Sequence, residues 1–292
     1  MRKIQLIVRR EYCGMVRRPS FVISSLLFPV IMLVAFGFMP AMGDVANLEQ
    51  TFAGMTEAES AMLFGSLLST MTFLFVMSNS IQIMNSVVEE KASRIVEVLV
   101  SAVSPVELLA GKIIGVALAG MTQIAIFVVL FALGAMFLPI GIVEMLSAMP
   151  FSFRYAIIFV TFVLYFIGGY LLYASIFASF GSAVDQASDA GQYVAPLNLL
   201  LIASLWIGLF SLQAPDGNLA LWCSMIPFTS PVVAMARVTA GMPLYQLIVS
   251  LSVLYASAIA MLCLSARIYR TGILMYGRKF SLSEILRWAR LR

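Results

Sequence analysis

The chain contains no histidine. Its absence removes histidine general bases, Ser-His triads and His-ligated metal sites together. Cysteine is nearly absent as well. Cys13, Cys223 and Cys263 lie far apart and form no C-x-x-C pair, so neither a zinc site nor a redox couple is indicated. Charge is scarce for a chain of this size. Only 11% of the 292 residues are Asp, Glu, Lys or Arg, whereas 62% are hydrophobic and mean hydropathy is +1.00. A soluble domain is about 25% charged, so this chain has too little polar surface for a water-soluble monomer. Disorder, collagen and coiled coil are excluded on the same ground. No phosphate-binding loop is present, because Gly111-Lys112 is followed by Ile113 and lacks the upstream glycine. G-x-S-x-G and H-E-x-x-H are also missing. The long apolar stretches hold no carboxylate of the kind that proton- or sodium-coupled carriers place at mid-membrane. No catalytic residue, no metal and no internal energy source are therefore expected.

What the sequence does have is length of apolar run. Seven stretches carry no Asp, Glu, Lys or Arg: 19–43, 60–88, 113–143, 155–184, 190–215, 217–236 and 238–266. A helix needs about 20 apolar residues to cross the hydrocarbon core, and six stretches qualify. Spans are expected near 21–39, 62–83, 113–137, 155–179, 194–211 and 244–266. The stretch 217–236 is interrupted by Pro227 and Pro231, which break helical hydrogen bonding. It reads as a re-entrant or interfacial hairpin inside an outer segment 212–243, with a seventh span as the alternative.

The basic residues decide the count and the orientation. Arg2, Lys3, Arg9, Arg10, Arg17 and Arg18 precede the first span, and Arg267, Arg270, Arg278, Lys279, Arg287, Arg290 and Arg292 follow the last. Both ends are thus assigned to the cytoplasm, which requires an even number of spans. Six spans leave only Arg154 and Arg237 outside, and the first outer loop, 40–60, carries Asp44, Glu49, Glu57 and Glu59 without a base. The same distribution explains the net charge of +4 without a nucleic-acid partner. A cleaved signal peptide is not expected, because both the apolar run and the basic region before it are too long. The expected fold is an all-α membrane protein of six transmembrane helices, one domain over 1–292. It comprises an N-terminal amphipathic segment (1–20), a cytoplasmic elbow (84–111), the outer re-entrant segment (212–243) and a cytoplasmic tail (267–292).

Four segments carry mechanistic signals. In the N-terminal segment Ile4, Val8, Tyr12 and Met15 recur at helical spacing with Arg2, Arg9, Arg10 and Arg17 opposite. That pattern describes a helix in the lipid headgroup layer or, more plainly, flanking positive charge. In the elbow, Glu90–Arg94 and Arg94–Glu97 have i, i+4 and i, i+3 spacing, with Val88, Ile95, Leu99 and Ala102 on a neighbouring face. Ser104-Pro105 breaks this helix, and Ser104 with Glu107 forms an S-x-x-E start for the next. A docking element and a solvated helical hairpin fit this elbow equally. In the second cytoplasmic loop, 181–193, Asp185, Asp189 and Gln192 share one helical face without any base, which suits a basic partner or simple solvation. In the second span Ser66, Ser69, Thr70, Thr72, Ser78, Asn79, Ser80 and Gln82 line a pathway or make helix–helix hydrogen bonds, the commoner role. Gly111–Gly115 is a weak packing signal. The tail repeats S-x-x-E at Ser281–Glu284, with Leu282, Ile285 and Leu286 on one side and Trp288 suited to the interface.

The segment VVEEKASRIVEVLVSAVSPVELLAGKIIGVALAGMTQ (87–123) resembles the signature region of ABC type 2 permeases, specifically the NatB-like branch. RIYRTGILMYGRKFSLSEILRW (267–288) and IPFTSPVVAMAR (226–237) resemble the tail and the final outer stretch of the same branch. The resemblance implies a six-span permease of the plasma membrane that pairs with a second permease copy. Two cytoplasmic ABC ATPase subunits dock on the loop between the second and third spans and drive export. ATP and magnesium would be bound by the ATPase, leaving this chain without a cofactor and not itself an enzyme. Carried onto this sequence, Glu89, Glu90, Lys91, Arg94 and Glu97 fall in the coupling elbow, and Ser104, Pro105, Glu107 and Leu108 form its tip. NatB-like members often carry a large domain between the first two spans, whereas here that loop covers only 40–60. Drug, lipid and peptide therefore stand beside sodium as substrate classes. A membrane anchor for an ATPase and a self-sufficient channel or carrier are the competing functions. The topology is testable by cysteine labelling of intact cells. A cysteine at Gln50 should be modified from outside and one at Ile285 spared; labelling of the latter contradicts six spans.

Overall fold

The computed structural model describes residues 2–38, 56–93, 103–137, 153–184 and 187–273, with the single positions 96 and 275. Arg94, Glu97 and Asp185, most of the first outer loop with Asp44 and Glu49, and the tail with Ser281, Glu284 and Trp288 lie outside the described residues. Of Asp189 only the backbone is described.

Secondary structure among the described residues is helical. The helices are α1 (Arg2–Val16), α2 (Pro19–Phe38), α3 (Glu57–Ala92), α4 (Pro105–Phe137), α5 (Phe153–Ala183), α6 (Ala187–Ser211), α7 (Asn218–Met225), α8 (Ser230–Thr239) and α9 (Leu244–Gly272). Their starts follow local chemistry. Proline opens α2 and α4, where its missing N–H is harmless. Thr56 and Glu59 cap α3 reciprocally, with Thr56 N donating to Glu59 Oε2 at 2.8 Å and Glu59 N to Thr56 Oγ1 at 3.3 Å. These bonds hold the exposed Glu59 carboxyl below the usual carboxylate range. Gly241 takes φ +101° in the turn between α8 and α9, a conformation that favours glycine.

Among the described residues, five helices are long and apolar enough to cross a membrane, and a sixth crossing is counted when α1 and α2, bent by 69°, are taken as one broken span. The protein is thus an all-α membrane protein of five to six spans. At 1.5 Å per residue α3 is about 54 Å long, well beyond the ~30 Å hydrocarbon core. The helix therefore overshoots hydrocarbon depth. The helices α7 and α8, with 8 and 10 residues, are each too short to cross. They fold back on each other through Ile226–Thr229, where the Thr229 hydroxyl donates to Cys223 O at 2.6 Å.

Lipid provides no hydrophobic drive between helices, so they associate through close approach and hydrogen bonds. The helix α5 is the centre of that packing. Its buried stripe Phe166, Tyr170, Tyr173 and Phe177 follows helical spacing. The Tyr170 hydroxyl donates to Ile113 O of α4 at 2.8 Å and that of Tyr173 to Phe228 O at 2.7 Å. Glycines allow contact where a side chain would collide: Gly168 meets Leu254, Gly169 meets Pro231, and Gly181 meets Met84. Against α9, the Ser265 hydroxyl donates to Ser175 O at 2.6 Å and pairs with Ser179 at 2.9 Å. Outward-facing Leu199, Trp206, Phe210, Ile248 and Ile259 are exposed, as a lipid-facing surface requires.

The helix α1 packs on α4. Ile7 and Met15 are buried with Glu11 between them, while Ile4, Val8 and Tyr12 are half-buried. The apolar face expected to enter the headgroup layer is thus rotated and occupied by protein. Gly111 and Gly115 form the seat: a Cβ on Gly111 would lie 2.5 Å from Ile7 Cγ2, and one on Gly115 2.7 Å from Glu11 Cβ. The Tyr12 hydroxyl reaches Thr122 Oγ1 at 3.0 Å. Gly115→Val should therefore destabilise the protein in detergent by about 1–3 kcal/mol, the usual cost of overpacking. Gly14→Ala, where a Cβ meets nothing within 4 Å, should leave it unchanged or up to ~1 kcal/mol more stable. Denaturant unfolding checks both, and equal effects would contradict the seat.

Candidate functional site

Where α1, α3 and α4 meet, a lysine is shut away from solvent. The Lys112 side chain is 0% exposed, and the side chains of Glu11 and Glu90 are each 9% exposed. Its ammonium lies 3.2 Å from Glu11 Oε1, 3.0 Å from Glu90 Oε2 and 2.7 Å from Ser86 Oγ. The ammonium donates hydrogen bonds to Glu11 Oε1 and Ser86 Oγ, while Glu90 Oε2 is held by charge without a hydrogen bond. The Ser86 hydroxyl in turn donates to Glu11 Oε2 at 3.3 Å. Arg10 approaches Glu90 Oε1 at 3.6 Å from the rim, so two cations balance two carboxylates. Desolvating such groups costs several kcal/mol per ion and is offset only by close pairing of the charges.

The neighbouring residues extend the junction. Arg18 Nη2 pairs with Glu89 Oε2 at 2.9 Å in the open, a class of contact worth about 0–1 kcal/mol. The Lys91 ammonium is buried and donates to Ser182 O, at the end of α5, at 2.8 Å. Successive helical residues point about 100° apart. Glu89, Glu90 and Lys91 consequently reach the turn after α1, the α1–α4 pair, and α5. A cleft of about 410 Å³ opens between α1 and the end of α3, bordered by Arg10, Arg18, Ser86, Glu89 and Glu90.

The elbow residues are divided by this arrangement. Glu89 is exposed, whereas Glu90 and Lys91 are buried in the junction. Ser104 and Glu107 form a capping box at the start of α4, with Ser104 N donating to Glu107 Oε2 at 3.1 Å and Glu107 N to Ser104 Oγ at 3.3 Å. Pro105 is half-buried at the first position of α4, and Leu108 is buried. Gln192 stands exposed on α6, apart from the junction. In α3 the hydroxyls of Ser66, Thr70, Thr72 and Ser78 donate to carbonyls of their own helix. Ser69 donates to Val232 O at 3.1 Å and Asn79 to Gln123 Oε1 at 3.3 Å, joining α3 to α8 and α4.

Sequence reasoning missed Glu11 and gave Lys112 no partner. Two signals were available. Glu11 is the one acid within the arginine-rich helix, four residues from Ile7 and Met15 on the same face. Lys112 stands at the mouth of an apolar run. Arg237 was treated as an exception to the charge rule. At the opposite end of the bundle it is buried among neutral acceptors, donating to Pro215 O at 2.7 Å, Ser224 Oγ at 2.6 Å and Gln246 Oε1 at 2.7 Å. It ties α7 and α8 to α9.

A family model described as "ABC-2 family transporter protein" matches residues 45–267. Among curated proteins, "Uncharacterized protein YhaP" of Bacillus subtilis is 31% identical over 217 residues, covering 70% of this chain and 50% of that protein. "Uncharacterized protein MJ1024" of Methanocaldococcus jannaschii is 30% identical over 217 residues, covering 74% of this chain and 51% of its own length. The chain spans about half the length of the curated relatives it matches.

The buried cluster makes a sharp mutational prediction. Lys112→Met leaves two carboxylates facing each other and should cost about 3–5 kcal/mol. Adding Glu11→Gln and Glu90→Gln to it should recover most of that loss. Denaturant unfolding in detergent measures both. A single variant within about 1 kcal/mol of wild type would mean that water, not the cluster, solvates Lys112.

Proposed function

The chain belongs to the ABC-2 family of transporter proteins, and we propose that it is the permease subunit of an ATP-driven exporter. Membrane components of this family lack an ATPase site of their own. ATP and magnesium are bound by separate cytoplasmic ABC ATPase subunits, which act on the elbow between α3 and α4. The permease works beside a second copy in the plasma membrane, with both termini cytoplasmic, and belongs to the NatB-like branch. Drug, lipid, peptide and sodium are the candidate substrate classes.

One observation supports the elbow as the coupling element. The segment between α3 and α4 is anchored at both ends: by Glu89, Glu90 and Lys91 before it, and by the Ser104–Glu107 cap and buried Lys112 after it. A partner pressing on this segment therefore pushes on three helices at once. A solvated hairpin has no need of such mooring.

The test uses the permease reconstituted with its ATPase at equal permease content. Arg94→Glu should leave expression and membrane insertion near wild type but lower ATPase recruitment or stimulation at least about tenfold. Breaking a desolvated interfacial charge pair costs roughly 2–5 kcal/mol, and about 1.4 kcal/mol already gives that factor. Glu49→Lys, in the first outer loop, should do neither. If both variants behave alike, the elbow is not the coupling element. The purified subunit alone should not turn over ATP.

A further inference from the structure

We infer that the cleft between α1 and the end of α3 binds the headgroup of a zwitterionic, amine-bearing phospholipid, a phosphoethanolamine lipid. The argument starts from the charges around the opening. Arg10 on α1 and Arg18 in the turn that follows it are both about half-exposed. Glu89 faces them from α3, also about half-exposed, and the nearly buried Glu90 lies deeper. The cleft, of about 410 Å³, therefore presents the two guanidinium groups on the α1 side, where the one carboxylate, Glu11, is nearly buried and paired with Lys112, and Glu89 and Glu90 on the α3 side.

An anionic headgroup fits only the α1 wall and is repelled by Glu89 and Glu90. A cation alone fits only the α3 wall. A phosphate with a primary ammonium a few bonds away satisfies both, through charge-assisted bonds to Arg18 and Glu89. Those two side chains already meet across the mouth at 2.9 Å. Exposed pairs of this kind are weak in water, so a ligand carrying the same two charges exchanges with the pair at little loss. The cluster around Lys112 stays intact beneath. The acyl chains have a track as well. Immediately after Arg18, the chain bends by 69° into α2, whose Val22, Ile23, Leu26, Leu27, Val30 and Ile31 are exposed. A quaternary choline headgroup has no N–H for Glu89, which sets the expected order of preference.

Native mass spectrometry of the full chain, delipidated and offered equal amounts of phosphatidylethanolamine, phosphatidylcholine and phosphatidylglycerol, tests this. Wild type should retain phosphatidylethanolamine about tenfold over either competitor, the factor expected of one charge-assisted hydrogen bond. Arg18→Gln with Glu89→Gln should abolish that preference, while the lipid-free variant unfolds at the wild-type temperature. Soluble phosphoethanolamine, offered without lipid, should not raise the unfolding temperature. Three results overturn the assignment. Equal or greater retention of phosphatidylglycerol would show a merely basic surface. A preference unchanged in the double variant would place the lipid elsewhere. Stabilisation by soluble phosphoethanolamine equal to that of the lipid would remove the lipid as its source.

Discussion

A lysine ammonium with no access to water is the constraint around which one end of this protein is arranged. Lys112 donates to Glu11 on α1 and to Ser86 on α3, and pairs by charge with Glu90 on α3. None of the three helices can leave without stranding a charge. The packing beneath serves the same end. Gly111 and Gly115 flank Lys112 on α4 and let α1 come close enough for Glu11 to reach the ammonium. Small residues and charged residues here are two halves of one arrangement, since the ion pair forms only where the backbones approach closely.

The opposite end answers the same problem with neutral groups. Arg237 is nearly as enclosed as Lys112, yet its nearest carboxylate, Asp216, is 3.9 Å away and solvent-exposed. Backbone and amide oxygens take its protons instead. The interrupted backbone between α7 and α8 is likewise satisfied by protein, through the Tyr173 hydroxyl on Phe228 O and the Ser250 hydroxyl on Ser224 O at 2.5 Å. Irregular chain at membrane depth survives only with such cover.

Much of this was legible in the sequence because membrane insertion depends on coarse quantities. Run length and the absence of charge located α3, α4, α5, α6 and α9, and the two prolines at 227 and 231 marked the break that separates α7 from α8. The Ser104–Glu107 spacing announced the start of α4, since a capping box is a local interaction. What stayed hidden is long-range. Glu90 was read with Arg94, its helical neighbour, whereas its carboxylate turns inward to Lys112, 22 positions along the chain. Periodicity placed Ile4, Val8, Tyr12 and Met15 on the apolar face of α1; Met15 is buried, but the axis of burial turns toward Ile7 and Glu11, and Ile4, Val8 and Tyr12 are only half-buried. The serines and threonines of α3 could not be sorted by sequence. Back-bonding to a helix's own carbonyl and bonding to another helix use the same side chain, and only the neighbour's position decides.

The mooring of α3 has a mechanical side. A rod held at two azimuths by the buried Glu90 and Lys91 cannot spin about its own axis without breaking both ties. It can only tilt or slide as a unit. Near its far end, Gly65 lies against Thr239 of α8 and Leu212, beside the paired short helices. A load applied beyond Lys91 is thus delivered about seven turns away as displacement, with little lost to torsion. The helix acts as a pushrod joining one face of the membrane to the other.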